Sequence, residues 1–477
     1  MATRRRQVGS GRSEIEETPA RRGSGEPENP ELVVGLVAAV GTPLDLVQNV
    51  LSELFAERGY SMELLHLSGY LDSFELEARK EGEGESERLD SAMNRGNEAR
   101  RKTERDDILA LAAIADIRSK RGEEPGPLPG RAFVLRQLKR PEEVELLRRT
   151  YGEGFVLLGV FCRRAERKRQ LELKGIGPDD AEALILRDEH EVELGGQALR
   201  TTFHLADLFV EVGDSRDACS DALKRVIHLL FGLGITTPTK AEYGMFHAYA
   251  ASLRSSQLGR QVGAALLSDL GDLISVGANE VPRFDGGLYW EGEKPDVRDH
   301  KRGRDSSDEA EEEIVREVLD RIDPEWNAAT PGEKQRLIIG RLEKLRSTRI
   351  TSLTEFGRAV HAEAEAIVSA ARLGTSTLGS ALYCTTFPCH VCAKHIVAAG
   401  IRSVTYIEPY PKSRALDLHE DSISLEDDDK KKVVFRPFVG VAPRAFPRLF
   451  SMTALDGSEI PRKDDEGRAI ADQIHIR

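Results

Sequence analysis

"HAEAEAIVSAARLGTSTLGSALYCTTFPCHVCAKHIVAAG", residues 361–400, decides how the C-terminal half of the chain is read. The stretch predicts a helix from about 354 to 372, a strand at 380–385 and a helix from 390, with a further strand at 402–407. His361 falls near the start of the first helix. Cys389 and Cys392 open the second, directly after Pro388. Exposed N–H groups and the helix dipole at such a start favour thiolates. Zinc takes about four tetrahedral ligands from thiolate, imidazole and carboxylate, and a catalytic site keeps one position for water. His361, Cys389 and Cys392 therefore form a candidate three-ligand metal site. Glu363 lies two residues beyond His361, so on a helix it points away from the same ligand position. It is better placed beside an activated water, where a general acid/base must stand. His390 and His395 read as surface or supporting residues, and Cys384, Cys162 and Cys219 as buried small hydrophobes.

Upstream, "TTPTKAEYGMFHAYAASLRSSQ" predicts a helix, and "RQVGAALLSDLGDLISVGANEVP" (260–282) two strands around a turn at Asp269–Asp272. Residues 282–350 are a polar insert with two expected helices, at 310–322 and 332–346. They read as a solvated helix pair covering the site or an oligomer contact. "VVFRPFV" at 433–439 predicts a further strand.

The N-terminal half has its own pattern. The apolar run Leu32–Val40 suits a buried parallel strand, and Gly41-Thr42-Pro43 breaks it before an amphipathic helix to about Arg58. Thr42 is the expected N-cap, Pro43 the first helical residue and Asp45 the acidic N3 residue. Strands then alternate with helices to about residue 234, which predicts a doubly wound parallel sheet. "GLVAAVGT" looks like a phosphate-binding loop, with Gly35, Gly41 and Thr42 as candidate nucleotide contacts. It departs from G-x-x-x-x-G-K-[ST]: five residues separate the glycines, and Thr42-Pro43 replaces the lysine and hydroxyl residue. Arg136 stands where a strand-end acid would hold magnesium. A regulatory domain is expected here, not a kinase. Residues 1–30 read as a disordered arm and 80–106 as a solvated loop or exposed helix.

The totals narrow the classes. At 477 residues, two or three domains are expected. A net charge of -13 argues against a broad grip on nucleic-acid backbone, and 6% aromatic residues against a base-stacking surface. Five cysteines form no disulfide framework, so a reducing, cytoplasmic setting is expected. No apolar run reaches membrane-span length.

His361-Ala-Glu363 followed by Pro388-Cys389-x-x-Cys392 resembles the zinc nucleobase deaminase signature. The 260–282 hairpin is similar to that of deoxycytidylate deaminases. The whole layout, with "EPYPKSRALDLHEDSI" after the fourth strand, resembles two-domain bacterial antiphage deoxycytidylate deaminases over about residues 31–450. The resemblance implies a P-loop kinase-like parallel-sheet domain (31–234) and a cytidine-deaminase-like α/β/α domain (235–477). It implies zinc as cofactor, with Glu363 taking a proton from water and returning protons to cytosine N3 and the departing amine. The implied reaction converts dCTP, and dCMP, to deoxyuridine nucleotides, which depletes dCTP during viral DNA synthesis. Asn279 is implied as a sugar contact. Arg254, Arg260, Lys412, Ser413 and Arg414 are candidates for substrate phosphates. A nucleotide or small-RNA regulator at the N-terminal domain and a homo-oligomer are also implied. The alternatives are a housekeeping dCMP deaminase of thymidylate synthesis, a polynucleotide-editing deaminase and a non-catalytic nucleotide sensor with structural zinc.

Overall fold

The structure is a computed structural model. It describes residues 29–76, 84–123, 126–190, 199–213, 215–345, 348, 356–410, 413–426, 429–453, 459–464 and 466–470. Most of the arm expected at 1–30 lies outside these residues, as does Lys412.

Two six-stranded sheets organise the chain. The first contains β1 (Leu32–Ala38), β2 (Ser61–His66), β3 (Arg131–Arg136), β4 (Phe155–Phe161) and β5 (Leu208–Glu211). The second contains β6 (Gly263–Leu267), β7 (Leu273–Ala278), β8 (Ala381–Thr386), β9 (Ser403–Glu408), β10 (Ile423–Ser424) and β11 (Val433–Pro437). β12 (Gly440–Val441) returns to the first sheet.

In the first sheet the order is β12-β5-β4-β1-β3-β2, and every pair is parallel except β12 with β5. β1 lies between β3 and β4 and all seven of its residues are buried, as a strand covered on both faces requires. Gly35 is not in the loop that follows: it sits mid-strand, where a Cβ would come 2.5 Å from Leu138 Cδ1. Its candidate role as a nucleotide contact is corrected, because it is a packing glycine. Gly41, with φ +84°, does lie in the turn. Thr42 does not cap the helix. Pro43 is the N-cap of Leu44–Ala56, and the buried Thr42 hydroxyl makes no hydrogen bond.

β2 and the helix Ile108–Lys120 were not legible in the sequence. β2 is an edge strand with only Leu65 fully buried, so it lacks a clean alternation. The charged 80–106 segment also corrects its expectation. Helix Glu85–Thr103 buries Met93, Ala99 and the arginines Arg95 and Arg100, with Arg100 paired to the buried Glu143 at 3.1 Å.

The second sheet runs β10-β11-β9-β8-β6-β7, antiparallel at β6–β7 and β6–β8 and parallel elsewhere. The expected boundary at 234/235 is crossed by the chain end. Val441, Ala445 and Leu449 join the core beneath the first sheet. Glu242, fully buried on helix Lys240–Ser252, accepts from Val441 N at 2.9 Å and pairs with Arg225 at 2.7 Å. The insert folds as helices Ser306–Ile322, Pro324–Ala328 and Pro331–Leu345 around a small core of Val315, Leu319, Trp326 and Ile338.

Candidate active site

The site is built on two helix starts. The helix expected from 354 begins at Ala362, with His361 as its extended N-cap residue; residues 351–355 lie outside the described set. The second helix is His390–Ala398, and Cys389 is its N-cap, with its Sγ accepting from Cys392 N at 3.4 Å. The two helix starts therefore deliver the three candidate ligands to one point. His361 Nδ1 lies 3.3 Å from the Sγ of Cys389 and 3.3 Å from that of Cys392. One tetrahedral ion with ordinary Zn–S and Zn–N bonds would separate sulfur and nitrogen by about 3.6 Å. One imidazole and two thiols in that cluster fit zinc in number and softness.

Close packing fixes this arrangement. Helix Ala362–Arg372 lies so near β7 that a Cβ on Gly277 would be 2.1 Å from Ala362 O and 2.5 Å from Ala366 N. Ser275 Oγ donates to Ala366 O at 2.7 Å from the same strand. On the other face, Gly263 in β6 lets helix Lys240–Ser252 approach: its Cβ would be 1.9 Å from Ala248 O. Glycine within a strand is the sequence signal for such contact, and it went unread at both positions.

Glu363 is 4% exposed. Burial pushes its carboxyl above the ordinary carboxylate range and Cys389 adds to the rise, while His361 opposes it. Hydrogen bonding from Cys392, and then from His361, draws the Cys389 thiol well below its usual value. His361 is raised, chiefly by its hydrogen bond with Cys389. The buried carboxyl beside the ligand cluster is suited to exchanging protons with a substrate and with water. Cys384 is wholly buried against this site, and burial pushes its thiol up, as expected of a core residue. His395 is exposed and His390 half-buried, and neither joins the ligand cluster.

The substrate candidates divide. Asn279 directly follows β7. Its Oδ1 accepts from Val262 N at 2.7 Å and its Nδ2 donates to Arg260 O at 2.9 Å. One amide proton and one lone pair remain for a ligand. Arg260 lies close enough for its charge to act on His361, and its guanidinium sits 5.0 Å from the Tyr410 ring centroid. Ser413 donates to Pro388 O at 2.8 Å, so its hydroxyl proton braces the turn that delivers Cys389. Arg414 is half exposed, 3.7 Å from Asp417. Arg254 is drawn elsewhere: it donates to Tyr289 O at 3.1 Å and stacks 3.6 Å over Trp290. Glu408, Thr386 and Tyr410 had not been singled out, because a single acid, hydroxyl or ring at a strand end carries no spacing signal.

No helix among the described residues is long and apolar enough to cross a membrane. Residues 238–408 match the family described as the cytidine and deoxycytidylate deaminase zinc-binding region. Among curated proteins, the deoxycytidylate deaminase of Enterobacteria phage T2 is 46% identical over 55 residues, 12% of this chain and 29% of that one. Its phage T4 counterpart is 46% identical over 12% of this chain and 28% of its own. A UPF0200 protein of Aeropyrum pernix is 36% identical over 99 residues, 20% of this chain and 50% of that one. The chain thus spans under a third of the length of the phage relatives. Among solved structures, the apo dCMP deaminase of cyanophage S-TIM5 covers 43% of this chain and 100% of its own, at 18% identity and a TM-score of 0.24. His361, Glu363, Cys389 and Cys392 all lie within the matched residues, so the site falls in a partial, C-terminal match to the cytidine and deoxycytidylate deaminase superfamily.

Proposed function

We propose that the protein hydrolytically deaminates free deoxycytidine nucleotides, dCTP and dCMP, to deoxyuridine nucleotides. The observation that carries this reading is the buried Glu363 carboxyl beside the His361–Cys389–Cys392 cluster. Zinc held by those three residues would supply Lewis acidity toward an attacking water. Glu363 accepts a proton from that water and donates it to cytosine N3, then accepts the proton of the hydroxyl added at C4 and delivers it to the departing amine, so that ammonia leaves as the C4 carbonyl forms. Burial serves this role, because it raises the carboxyl above the ordinary carboxylate range and so eases its uptake of a proton. Arg260, Asn279 and Arg414 are the proposed contacts to sugar and phosphate, together with Lys412 and Ser413.

The first-sheet unit is proposed as a kinase-like regulatory domain without phosphoryl transfer, receiving a nucleotide or small-RNA signal. Three features support this. The turn after β1 has no lysine. Val40 N, in that turn, donates to the buried Asp188 carboxylate at 2.7 Å, and Lys139 pairs with the same group at 2.8 Å. β3 ends in Arg136 and not in an acid, and its guanidinium neutralises Asp45 at 2.5 Å. A cleft of about 430 Å³ lined by Gly41, Thr42, Asp45, Arg169 and Lys174 remains for a ligand. On this reading the enzyme depletes dCTP as antiphage defence, in the cytoplasm and as a homo-oligomer. A housekeeping dCMP deaminase is the second reading, favoured by the names of the phage relatives.

The test is incubation of the zinc-loaded protein with dCTP, dCMP, the ribonucleotides and single-stranded oligonucleotides, scoring ammonia and product. Turnover of dCTP supports the defence reading, and turnover of dCMP alone the housekeeping one. Deamination only of oligonucleotides, or none at all, sinks the proposal.

A further inference from the structure

The carboxylate of Glu408, the last residue of β9, meets three side chains from three parts of the fold. Its Oε2 accepts from Thr386 Oγ1 at 3.0 Å. Its Oε1 is 3.5 Å from Arg260 Nη1 and 3.8 Å from His204 Nε2. Thr386 ends β8, three residues before Cys389, and the Glu408 carbonyl accepts from Phe387 N at 2.6 Å. Glu408 is therefore fixed to the segment that delivers the metal ligand. Arg260 lies between this carboxylate and the Tyr410 ring, with its charge felt at His361. His204 belongs to the first-sheet unit. Its segment is tied to that sheet, since Asp207 Oδ2 accepts from Leu157 N at 2.8 Å and Asp207 N donates to Leu157 O at 2.8 Å.

We propose that Glu408 is a positioning residue that aims Arg260 at a substrate phosphate, and that His204 acts on the site through Glu408. This deepens the deaminase reading and rests on it. A long, half-exposed guanidinium samples many rotamers unless one face is held. Glu408 occupies that face. A guanidinium has five N–H donors, so the others stay available to a phosphate. Movement of the 204–207 segment changes the surroundings of Glu408, and so the order of Arg260, without touching the reacting atoms.

The test is steady-state kinetics of the full-length, zinc-loaded protein on dCMP and on deoxycytidine, which lacks the phosphate. Glu408→Gln is expected to raise KM for dCMP about tenfold with kcat within about twofold, and to leave kcat/KM for deoxycytidine unchanged. Thr386→Val, which keeps the carboxylate but removes its anchor, moves KM the same way. His204→Ala raises KM roughly threefold, and not at all in the Glu408→Gln background. The double variant Glu408→Gln/Arg260→Ala is no worse than Arg260→Ala. A fall in kcat alone, an equal loss on deoxycytidine, or multiplying effects in the double variant overturns the proposal. Absence of wild-type turnover refutes the deaminase reading instead. The same cycle is then read from calorimetric dCMP binding: non-additive weakening upholds the role of Glu408, and additive weakening, none, or no binding overturns it.

Discussion

Replacing Gly277 by Ala places a methyl carbon 2.1 Å from Ala362 O and 2.5 Å from Ala366 N, both backbone atoms. A carbon needs upwards of about 3 Å from such atoms, so the helix must retreat by about 1 Å. No side-chain rotation relieves the clash, because the obstacle is the main chain of the first helical turn. That turn carries His361 and Glu363. Overpacking of this kind costs about 1–3 kcal/mol of stability. The larger effect falls on the site, since a displacement of about 1 Å in a reacting group costs about 100-fold in rate. The expected result is a folded variant with a lowered melting temperature, weakened zinc retention against a chelator and kcat on its best nucleotide down by about 100-fold. Melting, metal content after dialysis and initial rates are the three measurements. Wild-type zinc retention and kcat together would refute the argument that helix–strand contact sets the site.

Glu363→Gln should lower kcat by about 10²–10⁴-fold while zinc remains bound, which rates paired with metal analysis will check. The same variant tests the pH linkage of the metal-free protein. Burial holds the native Glu363 carboxyl above its unfolded value, so its stabilising contribution is full below the unfolded pKa of about 4.3 and is lost as pH rises through the raised native value. Melting curves of the metal-free variant should therefore fall less steeply with pH over that window than those of the wild type. Cys392→Ser should lower zinc stoichiometry in metal analysis and abolish turnover, because one imidazole and one thiolate do not fill the coordination shell. Asp188→Ala leaves Val40 N and the Lys139 ammonium without their carboxylate and should destabilise the protein by about 3 kcal/mol in denaturant unfolding.

Much of the site was legible because its chemistry is written in short spacings. His361 and Glu363 are two apart and Cys389 and Cys392 three apart, and each pair opens a helix, where backbone geometry alone fixes what faces what. The hairpin, the 380–385 strand and the alternation of the first sheet were legible for the same reason, since apolar periodicity is local. Thr42 was misread as a cap because capping preference is statistical, and here the turn places Pro43 at that position. Gly35 was misread as a loop glycine because a glycine in sequence does not say whether it bends the chain or admits Leu138.

By itself the sequence determined most of the longer strands of the two sheets, the candidate ligand set and the acid beside it, because those depend on residues a few positions apart. Only the tertiary structure decided that Gly440–Val441 joins the first sheet, that Asp188 fills the turn after β1, and that Glu408 meets both Arg260 and His204. Those contacts join residues 148 to 233 positions apart in the chain. Packing of whole elements brings such residues together, and no local preference records it.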